Sequence, residues 1–172
     1  MNNALFQDLM QYHPVVQKIT NLITLNHFWC ETFEHEPVKT SEEAAKVRLG
    51  YSLKQGAKAM IVRVKEKESH KYFLMLVLPG DKKINFDKVK KELNAKDIRF
   101  ANRQEIKEIT HGVEIGGIPP LGNLFGLKVI ADPLIFDNEK IIFNAGDRSF
   151  SVAMLSKDYR KLVNPQISGI IL

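Results

Sequence analysis

Cysteine is nearly absent: Cys30 is the only one in 172 residues. One thiol makes neither an internal disulfide nor a cysteine metal cluster, and such sparing use suits a reducing cytosol, with Cys30 read as a small buried apolar residue. Long hydrophobic runs are missing too. The longest uncharged apolar stretch, Tyr72 to Leu78, falls far short of the roughly 20 residues a membrane-spanning helix needs. The start, Met1-Asn2-Asn3, lacks the basic region of an export signal, so a cytoplasmic protein with no membrane partner is expected. The histidines, His13, His27, His35, His70 and His111, never fall at the spacing of a helical metal site, so no metal is expected. No Gly-x-Ser-x-Gly turn, Gly-x-Gly-x-x-Gly fingerprint or Walker loop is present. These absences argue against a serine hydrolase, a dinucleotide enzyme and a nucleotide hydrolase, and imply no cofactor.

What is present is an ordinary folded chain, with 44% hydrophobic and 26% charged residues and a length that suits one core. Its charge is unevenly spread. Lys and Arg number 25 against 20 Asp and Glu, and residues 28–96 hold 15 of those bases and 10 of those acids, so the whole surplus belongs to the middle of the chain. The bases cluster as Lys54, Lys58, Arg63, Lys65, Lys67 and Lys71, then as Lys82, Lys83, Lys88, Lys90, Lys91 and Lys96. A solvated lysine face and a phosphate-backbone footprint both fit that pattern. Aromatic residues are not interleaved with the bases, which argues against a module that stacks single-stranded bases.

Apolar positions Leu5, Leu9, Val16, Ile19, Leu22 and Ile23 recur at helical spacing around Pro14, predicting two short helices over residues 3–26 or one broken at His13. Strands are expected at 28–36, 57–65, 72–78, 98–101, 127–131, 140–144 and 149–154. Tyr72–Leu78 is apolar throughout, as in a central strand. Helices are expected after the caps Thr40 or Ser41, Asn102 and Ser156, with a basic one from Phe86 to Leu93, and tight turns at 79–81 and 144–147. The fold class is therefore α+β: a mixed, partly closed β-sheet with surrounding helices.

Two features could carry chemistry. Gly116-Gly117-Ile118-Pro119-Pro120-Leu121-Gly122 places three glycines and two prolines in seven residues, which excludes regular structure. It is either a structural turn or a stiff run of backbone whose amides stabilise an oxyanion, where each donor is worth about 2.7 to 4 kcal/mol of barrier. Lys58 stands between Ala57 and Ala59 where an apolar strand begins, either snorkelling from the strand end or facing an anion.

Five ordered segments resemble the YbaK/prolyl-tRNA-synthetase-associated domain family: Phe33 to Ala45, Gln55 to Ala59, Leu76 to Asn85, Gly112 to Pro120 and Phe143 to Ser149. The similarity covers about residues 28–165. It implies an aminoacyl-tRNA deacylase domain over 28–172, following an N-terminal helical extension over 1–27. The resemblance further implies a trans-acting hydrolase that cleaves the ester of mischarged tRNA, as of tRNA(Pro), with water as nucleophile. An aminoacyl-tRNA synthetase is an implied possible partner. Gly116, Gly117, Ile118 and Pro119 would hold the carbonyl and aminoacyl group, and Lys58 the terminal phosphate or ribose. Phe33 and His35 match pocket-wall positions, and Asn144, Gly146 and Ser151 match positions near the pocket. A scaffold that binds a tRNA end or a synthetase without turnover is the alternative.

Overall fold

The computed structural model describes residues 9–172. Helix α1 (Pro14–Leu25) begins where the sequence predicts a break: Pro14 presets φ and needs no amide partner, and His13 accepts from the Val15 amide at 3.2 Å. A 3-10 turn at Leu9–Gln11 precedes it, and the part of the expected first helix on residues 1–8 lies outside the described residues. Val15, Val16, Ile19 and Ile23 form a buried stripe along α1 that joins the main core beside strand β6 (Lys140–Asp147). Each isoleucine so buried contributes about 1.5–3 kcal/mol, which holds α1 on the core.

The expected α+β fold with a mixed sheet holds. Strands β1 (Cys30–Glu34), β7 (Phe150–Leu155) and β6 form one antiparallel sheet in the order β1-β7-β6. A second sheet runs β4 (Ala95–Phe100), β2 (Ala57–Glu66), β3 (Lys71–Pro79), β5 (Lys128–Ala131) and β8 (Gln166–Ile167), with β5 parallel to β3 and β8. Neither sheet closes on itself; a parallel bridge between Gly56 and Ile142 joins them.

Alternation along the strands sorts the side chains into two cores. Ile61, Met75 and Val77 face the main core between the sheets, with α1 and the β6–β7 hairpin. Val62, Val64, Leu74 and Leu76 point the other way, under helix α3 (Phe86–Glu92) and Ile170. Strand β3 is thus buried on both faces, which is why its sequence is apolar throughout.

One expectation is corrected, and one strand goes beyond those expected. The tight turn expected at 144–147 is a β-bulge: β6 continues to Asp147, and its pairing with β7 slips between Asn144 and Asp147. Gly146 makes the bulge possible at φ +103°, and the Val15 side chain lies 2.8 Å from where a Cβ would stand. Strand β8 and the C-terminal segment, which bonds through Ile170 to Asn85 and Asp132, follow no periodic pattern because only two residues are paired.

Helices α2 (Ser41–Val47), α4 (Arg103–Thr110) and α5 (Ser156–Val163) complete the set. Thr40 and Asn102 cap α2 and α4 by accepting amides of the first turn, and Leu155 rather than Ser156 occupies the cap position of α5. At α4 the Glu105 carboxylate in turn accepts from the Asn102 amide at 2.8 Å and from both arms of Arg99 at 2.8 and 2.7 Å. The Arg99 fork holds the Glu105 carboxyl far below its ordinary value of 4.5, at about 2. Solvent screens this surface pair, so Glu105→Gln is expected to cost about 1 kcal/mol near neutral pH. A carboxyl depressed in the folded state stabilises fully above its unfolded value of 4.5 and loses that contribution as pH falls toward 2. Urea midpoints of the two proteins should therefore converge in acid; a gap that stays constant from about pH 7 to about pH 3 contradicts this assignment.

Candidate active site

The glycine-proline loop is held by its carbonyls. Arg148 donates from Nε to the Ile115 carbonyl at 2.8 Å, Asn144 from Nδ2 to the Gly116 carbonyl at 2.6 Å, and the Gly146 amide to the Gly117 carbonyl at 2.8 Å. Farther along, Tyr159 donates its hydroxyl to the Pro120 carbonyl at 2.7 Å from a fully buried position. In a trans peptide the carbonyl of one residue and the amide of the next point in opposite directions. Anchoring the Ile115 and Gly117 carbonyls on the β6–β7 hairpin therefore turns the Gly116 and Ile118 amides away from it. Neither amide has a hydrogen-bond partner among the described residues, whereas the Gly117 amide is spent on the Glu114 carbonyl at 2.9 Å. Gly116 sits at φ +96° with the Lys39 carbonyl oxygen 3.1 Å from where a Cβ would be, so only glycine fits.

Gly116 and Ile118 line a cavity of about 480 Å³, and so does Lys58. The other walls come from α2, from Phe100, Ala101 and Ile106, and from Ala57 to Ile61 of β2. Strand β4 pairs with β2 only from Val62 onward and the Ala101 amide takes the Ile61 carbonyl, leaving Lys58 to Met60 as a strand edge along the cavity. Lys58 is half-buried there and donates to the Lys82 carbonyl at 2.7 Å. That leaves two ammonium protons for a ligand. Burial lowers its pKa, the fields of Glu42 and Asp81 oppose that shift, and Lys83 adds to it. Lys39 also lines the cavity, so part of the basic surplus of the middle segment gathers at one opening.

The structure brings Lys58, Gly116, Ile118 and Asn144 to this one cavity and sets the other expected residues behind it. Gly117 and Pro119 are buried within the loop. Gly146 tethers the loop and packs on Val15. Phe33 meets Tyr51 edge-on at 5.7 Å. His35 reaches Ser151 through Nε2 at 2.8 Å, and Ser151 is fully buried. Phe33 and Ser151 are paired across β1 and β7, and none of these residues lines the cavity.

Sequence reasoning missed Arg48, which follows α2, is 6% exposed and lines the cavity. It donates from Nε to Ser151 Oγ at 2.9 Å and from Nη2 to Asn144 Oδ1 at 2.8 Å. In sequence it reads as a surface cation at a helix C-terminus, and the acceptors that hold it in the fold, Ser151 and Asn144, lie about a hundred residues later. Cys30 contributes nothing here: burial pushes its thiol up, away from the thiolate. Among the described residues no cluster of His, Cys, Asp and Glu could hold a metal ion, and no helix is long and apolar enough to cross a membrane.

Residues 35–162 match the model of the aminoacyl-tRNA editing domain. The chain belongs to that family. An editing domain is a hydrolase of the ester that joins an amino acid to tRNA, and the cavity with its two open amides is the feature that suits such an ester. Among curated proteins, the editing domain is 32% identical over 134 residues to the multifunctional Ser/Thr-tRNA deacylase ProXp-y of Escherichia coli strain K12, covering 77% of this chain and 78% of that one. It is 35% identical over 122 residues to a proline–tRNA ligase of Fervidobacterium nodosum, covering 71% of this chain and 18% of that longer enzyme. The fold is shared with a proposed trans-editing enzyme for prolyl tRNA synthetase, at a TM-score of 0.76 and 17% identity over 93% of this chain and 98% of that one.

Gly116→Ala tests the cradle of this editing domain. The forbidden φ and the contact with Lys39 should cost about 1–3 kcal/mol of stability. Deacylation should fall well beyond what that loss explains at a temperature where the variant stays folded. Activity that survives in a folded Gly116→Ala protein removes the loop from the site.

Proposed function

We propose that this editing domain works in trans in the cytoplasm, releasing serine, threonine or another small amino acid from mischarged tRNA, with tRNA(Pro) as the acceptor. The observation that carries the reading is the shared cavity, in which the ammonium of Lys58 faces the same space as the free amides of Gly116 and Ile118. The amino acids follow from the name of the Escherichia coli relative, and the acceptor from the ligase of Fervidobacterium nodosum that contains a similar segment. A second hydrolytic site is useful because binding alone separates amino acids differing by one methylene by only about 1–3 kcal/mol.

In this mechanism the Gly116 and Ile118 amides donate to the ester carbonyl and gain strength as its oxygen becomes negative. Lys58 donates its two remaining protons to the terminal phosphate or ribose, which suits a compact rotatable cation. Water adds to the carbonyl carbon, the bond to the ribose oxygen breaks, and the proton from water ends on that oxygen, with the neighbouring ribose hydroxyl assisting. Residues 28–172 form the deacylase, and α1 supports it by buttressing the bulge at Gly146.

The test is release of amino acid by purified protein from a panel of mischarged tRNAs. Seryl- or threonyl-tRNA(Pro) should be cleaved faster than in buffer, and binding with a steep salt dependence but no cleavage would instead mark a non-catalytic tRNA-end module. Lys58→Ala should lower kcat/KM by about 10- to 100-fold, the worth of hydrogen bonds from a charged donor, while the unfolding temperature holds. Unchanged turnover in that variant removes Lys58 from the site.

A further inference from the structure

Arg48 carries a charge that the protein leaves unpaired. Its two hydrogen bonds go to the neutral acceptors Ser151 Oγ and Asn144 Oδ1, and among the described residues no carboxylate pairs with it. Burial lowers its pKa to about 10, so it stays a cation at neutral pH. An enclosed guanidinium without an anion is costly unless each of its protons finds an acceptor.

The third nitrogen, Nη1, has none. Asp81 Oδ1 is the one fully enclosed side-chain polar atom without a partner among the described residues, so Nη1 opens onto space. It lies beside Gly56, 3.9 Å from where a Cβ would stand, and Gly56 and Arg48 both line the cavity. That space is therefore the cavity itself. Asn144 joins the guanidinium to the loop, because its Oδ1 takes Nη2 while its Nδ2 holds the Gly116 carbonyl. The guanidinium is thus one amide side chain away from the loop backbone that would hold the ester.

We infer that Arg48 is a specificity-determining residue whose Nη1 donates to the side-chain hydroxyl of the bound amino acid, so that the cavity selects hydroxylated side chains over apolar ones of equal size. The inference rests on the deacylase reading and deepens it. The hydroxyl of serine or threonine accepts this bond, whereas valine, which has the shape of threonine, leaves the cation desolvated and unpaired.

Threonyl- and valyl-tRNA(Pro), charged by an acylating ribozyme, supply the comparison. The unaltered protein should favour threonyl over valyl ester in kcat/KM by about 10- to 100-fold. Arg48→Lys and Arg48→Gln should collapse that ratio toward one by slowing threonyl release more than valyl release. A structural role alone would slow both substrates alike, and equal slowing at a preserved ratio overturns the inference. Should the variants fail to fold, the unaltered protein decides: equal rates on the two esters overturn it. Release of neither amino acid, nor of any other in the panel, sinks the deacylase reading and this inference with it.

Discussion

Three consecutive carbonyls, those of Ile115, Gly116 and Gly117, are each drawn toward the β6–β7 hairpin by a different donor. Because the peptide group is planar, fixing those oxygens also fixes the direction of the amides that follow them. The Gly116 and Ile118 amides are left pointing away from the hairpin with no partner among the described residues, and such donors are ready for a developing negative charge without rearranging. The bulge in β6 is part of the same device. Gly146 uses its left-handed conformation to bring its own amide to the Gly117 carbonyl, and α1 presses Val15 against its back.

The polar groups around the cavity divide into those that are satisfied and those that wait. Ser151 and Asn144 each accept one proton of Arg48, while the Lys82 carbonyl takes one proton of Lys58. The ammonium of Lys58 is half-buried and eased by the fields of Glu42 and Asp81, without a direct ion pair among the described residues. Holding two cations partly desolvated and incompletely bonded is a cost to the empty protein, and it is relieved when an oxygen-rich ligand enters. Free amides, an open strand edge on β2 and two under-bonded cations all face one space, which suits an ester flanked by hydroxyls and a phosphate.

Much of this was legible along the chain because it depends on short-range physics. The alternation in β2, the unbroken apolar run of β3, the caps Thr40 and Asn102 and the unusual density of glycine and proline at 116–122 are local signals. Lys58 stood out for the same reason, as a cation at the start of an apolar strand. The bulge at 144–147 was misread because a glycine at positive φ serves a tight turn and a bulge equally, and only the pairing partner distinguishes them. Arg48 was invisible. A lone arginine after a short helix looks solvated, and its burial depends on Ser151, more than a hundred residues later, arriving beneath it.

The sequence by itself determined which segments are strands and helices, that the loop at 116–122 is stiff and irregular, and that the family is one of aminoacyl-tRNA editing domains. Those outcomes follow from residue spacing, backbone preferences and motif order. Tertiary structure alone decided which loop amides are free, which of the expected residues touch the cavity and which stand behind it, and that a second cation joins Lys58 there. The physical reason is that hydrogen-bond satisfaction is settled between distant segments: an amide or a guanidinium proton is available to a ligand only if no carbonyl or side chain from elsewhere in the fold has already taken it.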